Sequence, residues 1–169
     1  QVGQTETRQH LGENGIQNFG SYEPLDYDNL CDVVSIPVHI RLSDNTEKTG
    51  KLPMVWCGYN GVFKTPSTES IAVISRYAEH FNVVAMPHSG AEYMPAPDQI
   101  KMNFYHALID NGADVVLGDH PHWVQSSEAY NGHLIVYSMG NFIFDQQAGK
   151  EMTRSAVIDM TVSVTAEQA

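Results

Sequence analysis

Two histidines flank a proline in the segment GDHPH at residues 118–122, which follows an apolar run ending in Leu117. A proline disfavours helical backbone at the residue before it, so Pro121 predicts an extended backbone at His120 and side chains that are held in place. Neutral imidazole is the commonest protein ligand for metal ions, whereas a His-x-His pair by itself is a weak motif. Two interpretations therefore stay open: the rings bind a metal ion, or they hydrogen-bond to carbonyl groups of the loop.

A third histidine occupies an equivalent position in the sequence. His88 ends the apolar run NVVAMPH, just as His120 and His122 follow the apolar run DVVLG. If the two runs are neighbouring strands of a parallel sheet, their carboxyl ends meet at one edge and the three imidazoles converge there. Three imidazoles beside carboxylates suit Zn²⁺, Mn²⁺ or Fe. The candidate supporting groups or further ligands are the carboxylates of Glu92, Asp119 and Asp145.

The elements that would position these histidines alternate between apolar runs and helical patterns. A β-α-β-α-β order extends from about Leu52 to Gly118, with helices expected over residues 65–81 and 97–112. The first helix is predicted to start with Thr65 as its cap and Pro66 in its first position, and the second to place Ile100 on its apolar face and end at Gly112. Short apolar strands alternating with helices predict an α/β fold with a parallel sheet and right-handed crossovers.

Other segments complete the predicted architecture. Residues 5–20 are typical of a short opening helix that stops near Gly15, and residues 32–42 and 52–59 are typical of two strands. Asn131-Gly132 predicts a hairpin turn, and the alternating segment SAVIDMTVSVT at residues 155–165 predicts a half-exposed strand. The block at residues 138–145 is expected to return to the histidine edge, where Asn141 or Asp145 would support the rings; alternatively, it is only a turn with core aromatic residues.

The composition limits the classes of partner. The chain has 169 residues, enough for one domain with a core, and a net charge of −11. An acidic chain without a Lys/Arg cluster argues against nucleic acid and against anionic membrane surfaces, and an anionic substrate would need a cation beside it. The chain contains neither an apolar stretch of about 18 residues nor a signal peptide at Gln1. Cys31 and Cys57 lie in or beside apolar runs, which favours buried free thiols over a disulfide.

The remaining candidates for chemistry are weaker. Structural roles are expected for His39, His80, His106 and His133, which lie within or at the ends of predicted elements. Ser89 adjoins His88, but no Gly-x-Ser-x-Gly turn surrounds it and sequence neighbours seldom form a catalytic triad, so a serine nucleophile is rejected.

Three motifs in series resemble those of the poly-γ-glutamate capsule biosynthesis (CapA-type) proteins of the calcineurin-like metallophosphatase superfamily. They are a strand ending in His-x-Gly-x-Glu-Tyr, a Gly-x-His-Pro-His block and a Tyr-Ser-x-Gly-Asn-Phe-x-Phe-Asp block. In this chain they read HSGAEY, GDHPH and YSMGNFIFD, within VVAMPHSGAEY and ALIDNGADVVLGDHPHWVQSSEAYNGHLIVYSMGNFIFD. The resemblance is strong from Asn82 to Asp145, and weaker over TRQHLGENGIQNFG near the start of the chain.

The resemblance implies that residues 1–169 form a single, truncated domain, the C-terminal half of an αββα sandwich. His88, His120 and His122 would be ligands of a site for two divalent metal ions, with His88 and His120 also catalytic. Ser89 and Asp119 depart from residues that the family often has at these positions, which changes the shape and charge of the pocket. The early Asp, Gly-Asp and Asn-His ligands of the superfamily would all lie before Gln1.

The function that follows from the resemblance is a metal-dependent phosphoesterase-type hydrolase in the production of capsule, poly-γ-glutamate or another anionic cell-surface polymer. Its substrate would be an anionic polymer or a phosphoester, and its place the cell envelope or the extracellular face, with a membrane-associated synthesis complex as partner. One alternative is a non-catalytic subunit that binds polymer or a partner, and another is a phosphodiesterase unrelated to capsule. Alone, this chain is expected to be inactive, to bind metal weakly or not at all, and to form a homodimer or a strand-exchanged assembly.

Overall fold

The architecture is taken from a computed structural model that describes residues 2–21, 27–42, 44–146 and 148–162. The described helices are α1 (Val2–Glu13), α2 (Thr68–Ile71), α3 (Ser75–Ala78) and α4 (Gln99–Asp110), with 3-10 turns at Tyr27–Asn29 and Lys150–Thr153. The described strands are β1 (Cys31–Arg41), β2 (Glu47–Gly61), β3 (Asn82–Ser89), β4 (Val115–Leu117), β5 (Ser127–Tyr130) and β6 (His133–Val136). None of the helices in these ranges is long and apolar enough to cross a membrane.

The described strands form one sheet in the order β1-β2-β3-β4-β6-β5. Strands β2, β3, β4 and β6 run parallel to one another, while β1 and β5 lie antiparallel at the two edges. This arrangement confirms the predicted α/β class and the parallel β2-β3-β4 unit. The strands after Gly118 were expected to be antiparallel. Strand β6 is antiparallel to β5, as expected, but parallel to β4.

The sheet buries apolar side chains on both faces. Alternate residues of a strand point to opposite faces, and accordingly Val55 and Cys57 of β2 join the core under the helices while Met54 joins a smaller cluster on the other face. The helix-side core also takes Phe104 and Leu108 from α4. Because α4 connects β3 to β4, its packing fixes how the carboxyl ends of these two strands meet.

The two predicted helices differ in detail from the expectations. Residues 65–81 form two short helices, and the N-cap of the first is Ser67, whose side chain accepts a hydrogen bond from the Ser70 amide, so the predicted Thr65 cap is wrong. The backbone between the helices tightens into turns that bury the neighbouring β-branched residues Val73 and Ile74. In α4 the predicted inward position of Ile100 is also wrong, because the side chain is 68% exposed in the first turn.

The predicted turns are confirmed. Asn131 and Gly132 have φ values of 50° and 86°, as a type I′ hairpin turn requires, and they join β5 to β6. Gly15 and Gly112, with φ values of 69° and 104°, follow α1 and α4 as expected.

The predicted last strand is not formed over its described part. Ser155 makes a single bridge to Gly140, and residues 156–162 belong to no strand. The exposure of the side chains nevertheless alternates as predicted: Ile158 packs on the sheet, while Val157 is 86% exposed. Val164 lies outside the described residues.

Cys31 and Cys57 form a disulfide, so the expectation of free thiols is wrong. The two residues stand directly opposite each other in the antiparallel β1–β2 pair, with Cα atoms 4.0 Å apart. The register of β1 against β2 brings the two cysteines together. The number of residues between them does not predict this register. Both side chains are buried.

Breaking this disulfide should lower the free energy of unfolding by about 3 kcal/mol, because a cross-link between residues 26 apart restricts the unfolded chain. The measurement is urea unfolding of the oxidised chain and of the Cys31→Ala/Cys57→Ala variant. A chain reduced under denaturing conditions and refolded in reductant is the matched control and should resemble the variant. Equal unfolding midpoints for all three would contradict the expectation.

Candidate functional site

The candidate site lies at the carboxyl ends of β3 and β4. His88 is the penultimate residue of β3, and the segment after β4 continues alongside it through a parallel bridge between His88 and Asp119. The Asp119 amide donates to the Pro87 carbonyl at 3.0 Å, and the Ser89 amide donates to the Asp119 carbonyl at 3.2 Å. Main-chain pairing therefore places the residues that follow β4 beside His88.

The three histidines converge, as their positions at strand ends predict. The rings of His88 and His120 have centroids 4.7 Å apart, and Nε2 of His88 lies 3.1 Å from Nδ1 of His120. The rings of His120 and His122 are 6.1 Å apart. We refer to His88, His120 and His122 as the histidine cluster.

The backbone around Pro121 is unusual. His120 and His122 have φ values of 99° and 60°. The expected extended backbone at His120 is therefore wrong: the chain turns directly after Asp119, the residue that is bridged to His88. Left-handed backbone at residues other than glycine costs on the order of 1–3 kcal/mol each and is concentrated at functional sites.

Most of the predicted supporting residues contact the cluster. Oδ2 of Asp119 lies 3.4 Å from Nδ1 of His88, and Oε1 of Glu92 lies 3.9 Å from Nε2 of His122. Oδ1 of Asn141 lies 2.7 Å from Nδ1 of His122. Asp145 is exposed, and within the described residues no hydrogen bond or ion pair joins it to the cluster.

The return of the 138–145 block to the histidines is thus observed, with Asn141 as the residue that makes the contact. The Asn141 amide also donates to the Met152 carbonyl at 3.0 Å, which orients its oxygen toward His122. Of the two aromatic residues assigned to a core in the alternative, Phe142 is exposed and Phe144 stacks on His122 with centroids 5.4 Å apart.

Two aromatic contacts to His122 were not anticipated. Tyr93 stacks on the ring with centroids 5.6 Å apart, in addition to Phe144. Tyr93 has a left-handed backbone, with φ of 60°, and its amide donates to the Pro121 carbonyl at 2.8 Å. The only sequence signal was its place in the His-x-Gly-x-Glu-Tyr motif.

The charges of the site favour neutral imidazole at its centre. His120 is only 8% exposed, and burial, followed by the proximity of His88, holds its pKa below the usual histidine range. Burial alone would raise the pKa of Asp119, but the hydrogen bonds to its carboxylate, led by the one to His88, outweigh this and lower it. An ionised Asp119 beside a neutral His120 is the resulting arrangement.

The donor types suit a divalent metal, but the geometry does not form a complete ligand set. In the described part of the chain, no group of three His, Cys, Asp or Glu side chains is placed to hold a metal ion. Nε2 of His88 and Nδ1 of His120 face each other, and Nδ1 of His122 faces Asn141. The residues described here therefore do not by themselves fit a metal centre.

Two of the other histidines make structural contacts, as expected. His106 contacts Glu128 at 3.1 Å and stacks on Tyr130, and His133 lies 3.1 Å from the Asp114 carbonyl. Ser89 is buried and its hydroxyl lies 3.3 Å from that of Tyr105. The His106 contacts join α4 to β5, and the Ser89–Tyr105 contact joins the end of β3 to α4.

Comparison with known proteins gives a consistent set of similarities. The family described as Bacterial capsule synthesis protein PGA_cap matches residues 1–146. The PGA biosynthesis protein CapA of Bacillus subtilis (strain 168) is 37% identical over 99 residues, which are 58% of this chain and 26% of that protein. The capsule biosynthesis protein CapA of Bacillus anthracis is 44% identical over 64 residues, 38% of this chain and 16% of that protein. The matched segments thus span about a quarter or less of these relatives.

The lowered pKa of His120 predicts a loss of stability on acidification. An unfolded histidine titrates near pH 6.5, so just below this pH the unfolded chain binds more protons at this residue than the folded chain. The contribution is complete above about pH 6.5 and is lost as the pH falls through the folded pKa. Urea unfolding between about pH 8 and pH 5 should show this slope, and His120→Gln should make it shallower. The control is His80→Gln, at the opposite end of β3; an equal effect of both substitutions would contradict the assignment to His120.

Proposed function

Because the chain belongs to the bacterial capsule synthesis protein family PGA_cap, we propose that it contributes the histidine cluster to a metal-dependent phosphoesterase-type hydrolase acting in capsule or poly-γ-glutamate biosynthesis. The observation that carries this proposal is the contact of His88 with His120 at 3.1 Å at the carboxyl edge of a parallel sheet. Ligands in open α/β sheets bind in the crevice at this edge. The resemblance to metallophosphatases gives the reaction class.

His88, His120 and His122 are the residues that would hold divalent metal, of the Mn, Fe or Zn type, as part of a larger ligand set. Since the matched relatives are longer than this chain, we propose that the remaining ligands come from other parts of the whole protein. Such ions polarise phosphoryl or carboxyl oxygens and lower the pKa of bound water.

The chain's own residues would position groups and move protons. The carboxylate of Asp119 orients His88 through Nδ1, and Asn141 orients His122 while Tyr93 and Phe144 hold its ring from stacked positions. Neutral His120 is suited to accept a proton from the attacking water, because its lowered pKa keeps it unprotonated at neutral pH, and the imidazolium so formed would give that proton to the leaving oxygen. His88, 3.1 Å away, would share that proton.

The substrate would be an anionic polymer or a phosphoester. The chain carries a net charge of −11, so cations at the cluster would offset the repulsion between an acidic protein and an anionic ligand. The whole protein is proposed to act at the cell envelope, in contact with a membrane-associated synthesis complex, because the similar Bacillus proteins are named for capsule and PGA biosynthesis.

A second function has an observation in its favour. Nε2 of His88 faces Nδ1 of His120, and Nδ1 of His122 faces Oδ1 of Asn141, so these nitrogens have partners within the protein. Such internal partners favour a non-catalytic subunit, one that retains the fold to bind polymer or a partner. In that case the cluster would serve as a polar binding surface, with Glu92 and Asp119 at its rim.

Substitution of the cluster separates the two functions. In the whole protein, His88→Gln or His120→Gln should lower metal-dependent hydrolysis of a phosphodiester such as bis(p-nitrophenyl) phosphate by about 10²–10⁴-fold, the usual effect of losing a group that transfers a proton. Metal content, measured by mass spectrometry, should fall as well, whereas His80→Gln should leave both unchanged. Wild-type protein that binds acidic polymer but neither retains metal nor hydrolyses the ester would support the binding subunit instead.

This chain alone should show no substantial phosphodiester turnover and only weak metal binding, because its described residues do not complete a ligand set. We also expect a dimer or a strand-exchanged assembly, since β1 and β5 are the edge strands of the sheet formed by the described residues, and exposed edges invite pairing with another copy. Light scattering gives the mass, and calorimetry with Mn²⁺ and Zn²⁺ gives the affinity. A monodisperse monomer with the activity of the whole protein would contradict both expectations.

A further inference from the structure

A lysine is buried beside the histidine cluster. Lys101 lies in the first turn of α4 and is only 2% exposed. Its backbone amide donates to Oδ1 of Asp98, the N-cap of the helix, at 2.8 Å. Its side chain runs beneath Gly90, two residues after His88 in the chain, and ends in the interior rather than in solvent.

The ammonium group has few partners there. Nζ donates to Oε1 of Gln125 at 3.2 Å and lies 5.3 Å from the centre of the Tyr105 ring. No carboxylate among the described residues lies within ion-pair distance of it. An ammonium has three N–H groups to satisfy, and burying its charge without a counter-ion is costly. Burial lowers the pKa of Lys101 to about 8, although Asp119 and Asp98 act in the opposite direction.

Gly90 makes this position possible. Its φ is +103°, and a Cβ atom there would lie 2.9 Å from Cδ and 3.3 Å from Nζ of Lys101. A residue with a side chain would therefore displace the ammonium. The backbone of the loop after β3 instead lies directly against it.

Lys101 is part of the lining of two clefts. One, of about 270 Å³, is lined by Lys101 together with Lys64, Ser89, Gly90 and Asp98. The other, of about 230 Å³, lies on the side of Met94 and Pro95 and shares Lys101, Ala91 and Asp98 with the first. Asp98 contributes a carboxylate to the lining of both clefts. That carboxylate already accepts a hydrogen bond from the helix.

We propose that the larger cleft is an oxyanion-binding subsite in which the Lys101 ammonium pairs with a carboxylate or phosphate group of the ligand. The bound anion would supply the counter-charge that Lys101 lacks among the described residues. The subsite goes beyond the proposed hydrolase and does not depend on it, because Lys101 is not among the residues that would hold metal and a binding subunit would use the same cleft.

The test is a metal-free titration of this chain with inorganic phosphate and, separately, with glutarate at constant ionic strength, followed by NMR. Both the Lys101 Hε–Cε signal and the amides of Gly90 and Ala91 should shift saturably, because the anion would lie between them. Lys101→Met, which keeps the length of the side chain, should weaken binding by about tenfold or more, the loss expected for a charged hydrogen bond. The matched control, Lys51→Met on the exposed part of β2, should change it less than twofold.

Each outcome bears on the subsite. Tighter binding of phosphate would identify a phosphoester group, and tighter binding of glutarate would identify the carboxylates of an acidic polymer. The absence of a saturable shift at Lys101 in the wild-type chain would overturn the proposal, and this measurement holds even if Lys101→Met does not fold. Shifts confined to His122 would overturn it as well. Loss of hydrolysis in the whole protein would not affect this result, so the two proposals fail separately.

Discussion

The absence of a side chain at residue 118 is the constraint on which the site depends. A Cβ atom there would lie 2.4 Å from the carbonyl oxygen of Tyr137 and 2.5 Å from the hydroxyl of Tyr105. With glycine, the main chain passes between these groups, donating to Val136 at 2.7 Å and accepting from Met139 at 3.1 Å. The chain leaves β4 along this path, and the next residue, Asp119, then pairs with β3. Every contact within the histidine cluster follows from that path.

The support below this passage is aromatic and polar. Tyr105 of α4 stacks on Tyr137 with centroids 5.4 Å apart, and the Tyr137 hydroxyl bonds to Glu128, which also contacts His106. Burial raises the pKa of both tyrosines, so each stays a neutral hydrogen-bond donor. Helix α4 is thereby joined to β5 and to the end of β6. The cluster rests on a layer that cannot shift without breaking several of these bonds together.

The sequence predicts the meeting of the histidines because strand direction alone determines it. Apolar runs that end in His88 and precede His120 need only be parallel neighbours for the rings to approach, and turn residues such as Asn131-Gly132 are equally local signals. The details that failed depend on pairing and packing between distant segments. The register of β1 against β2 creates the disulfide, and the left-handed turn at His120 stands directly after the bridge between Asp119 and His88. The stacking of Tyr93 and Phe144 on His122, and the burial of Lys101 beneath Gly90, need the whole assembled edge of the sheet.

The disulfide makes the fold depend on where the chain matures. Reducing systems of the cytosol keep such cysteines as free thiols, whereas oxidising compartments let the disulfide form and persist. The same sequence thus has two covalent states, and in only one of them is the edge strand β1 covalently linked to β2. Cys57 lies on β2, the strand that pairs directly with β3. Oxidation or reduction of the disulfide therefore changes a bond on the strand next to the one that carries His88.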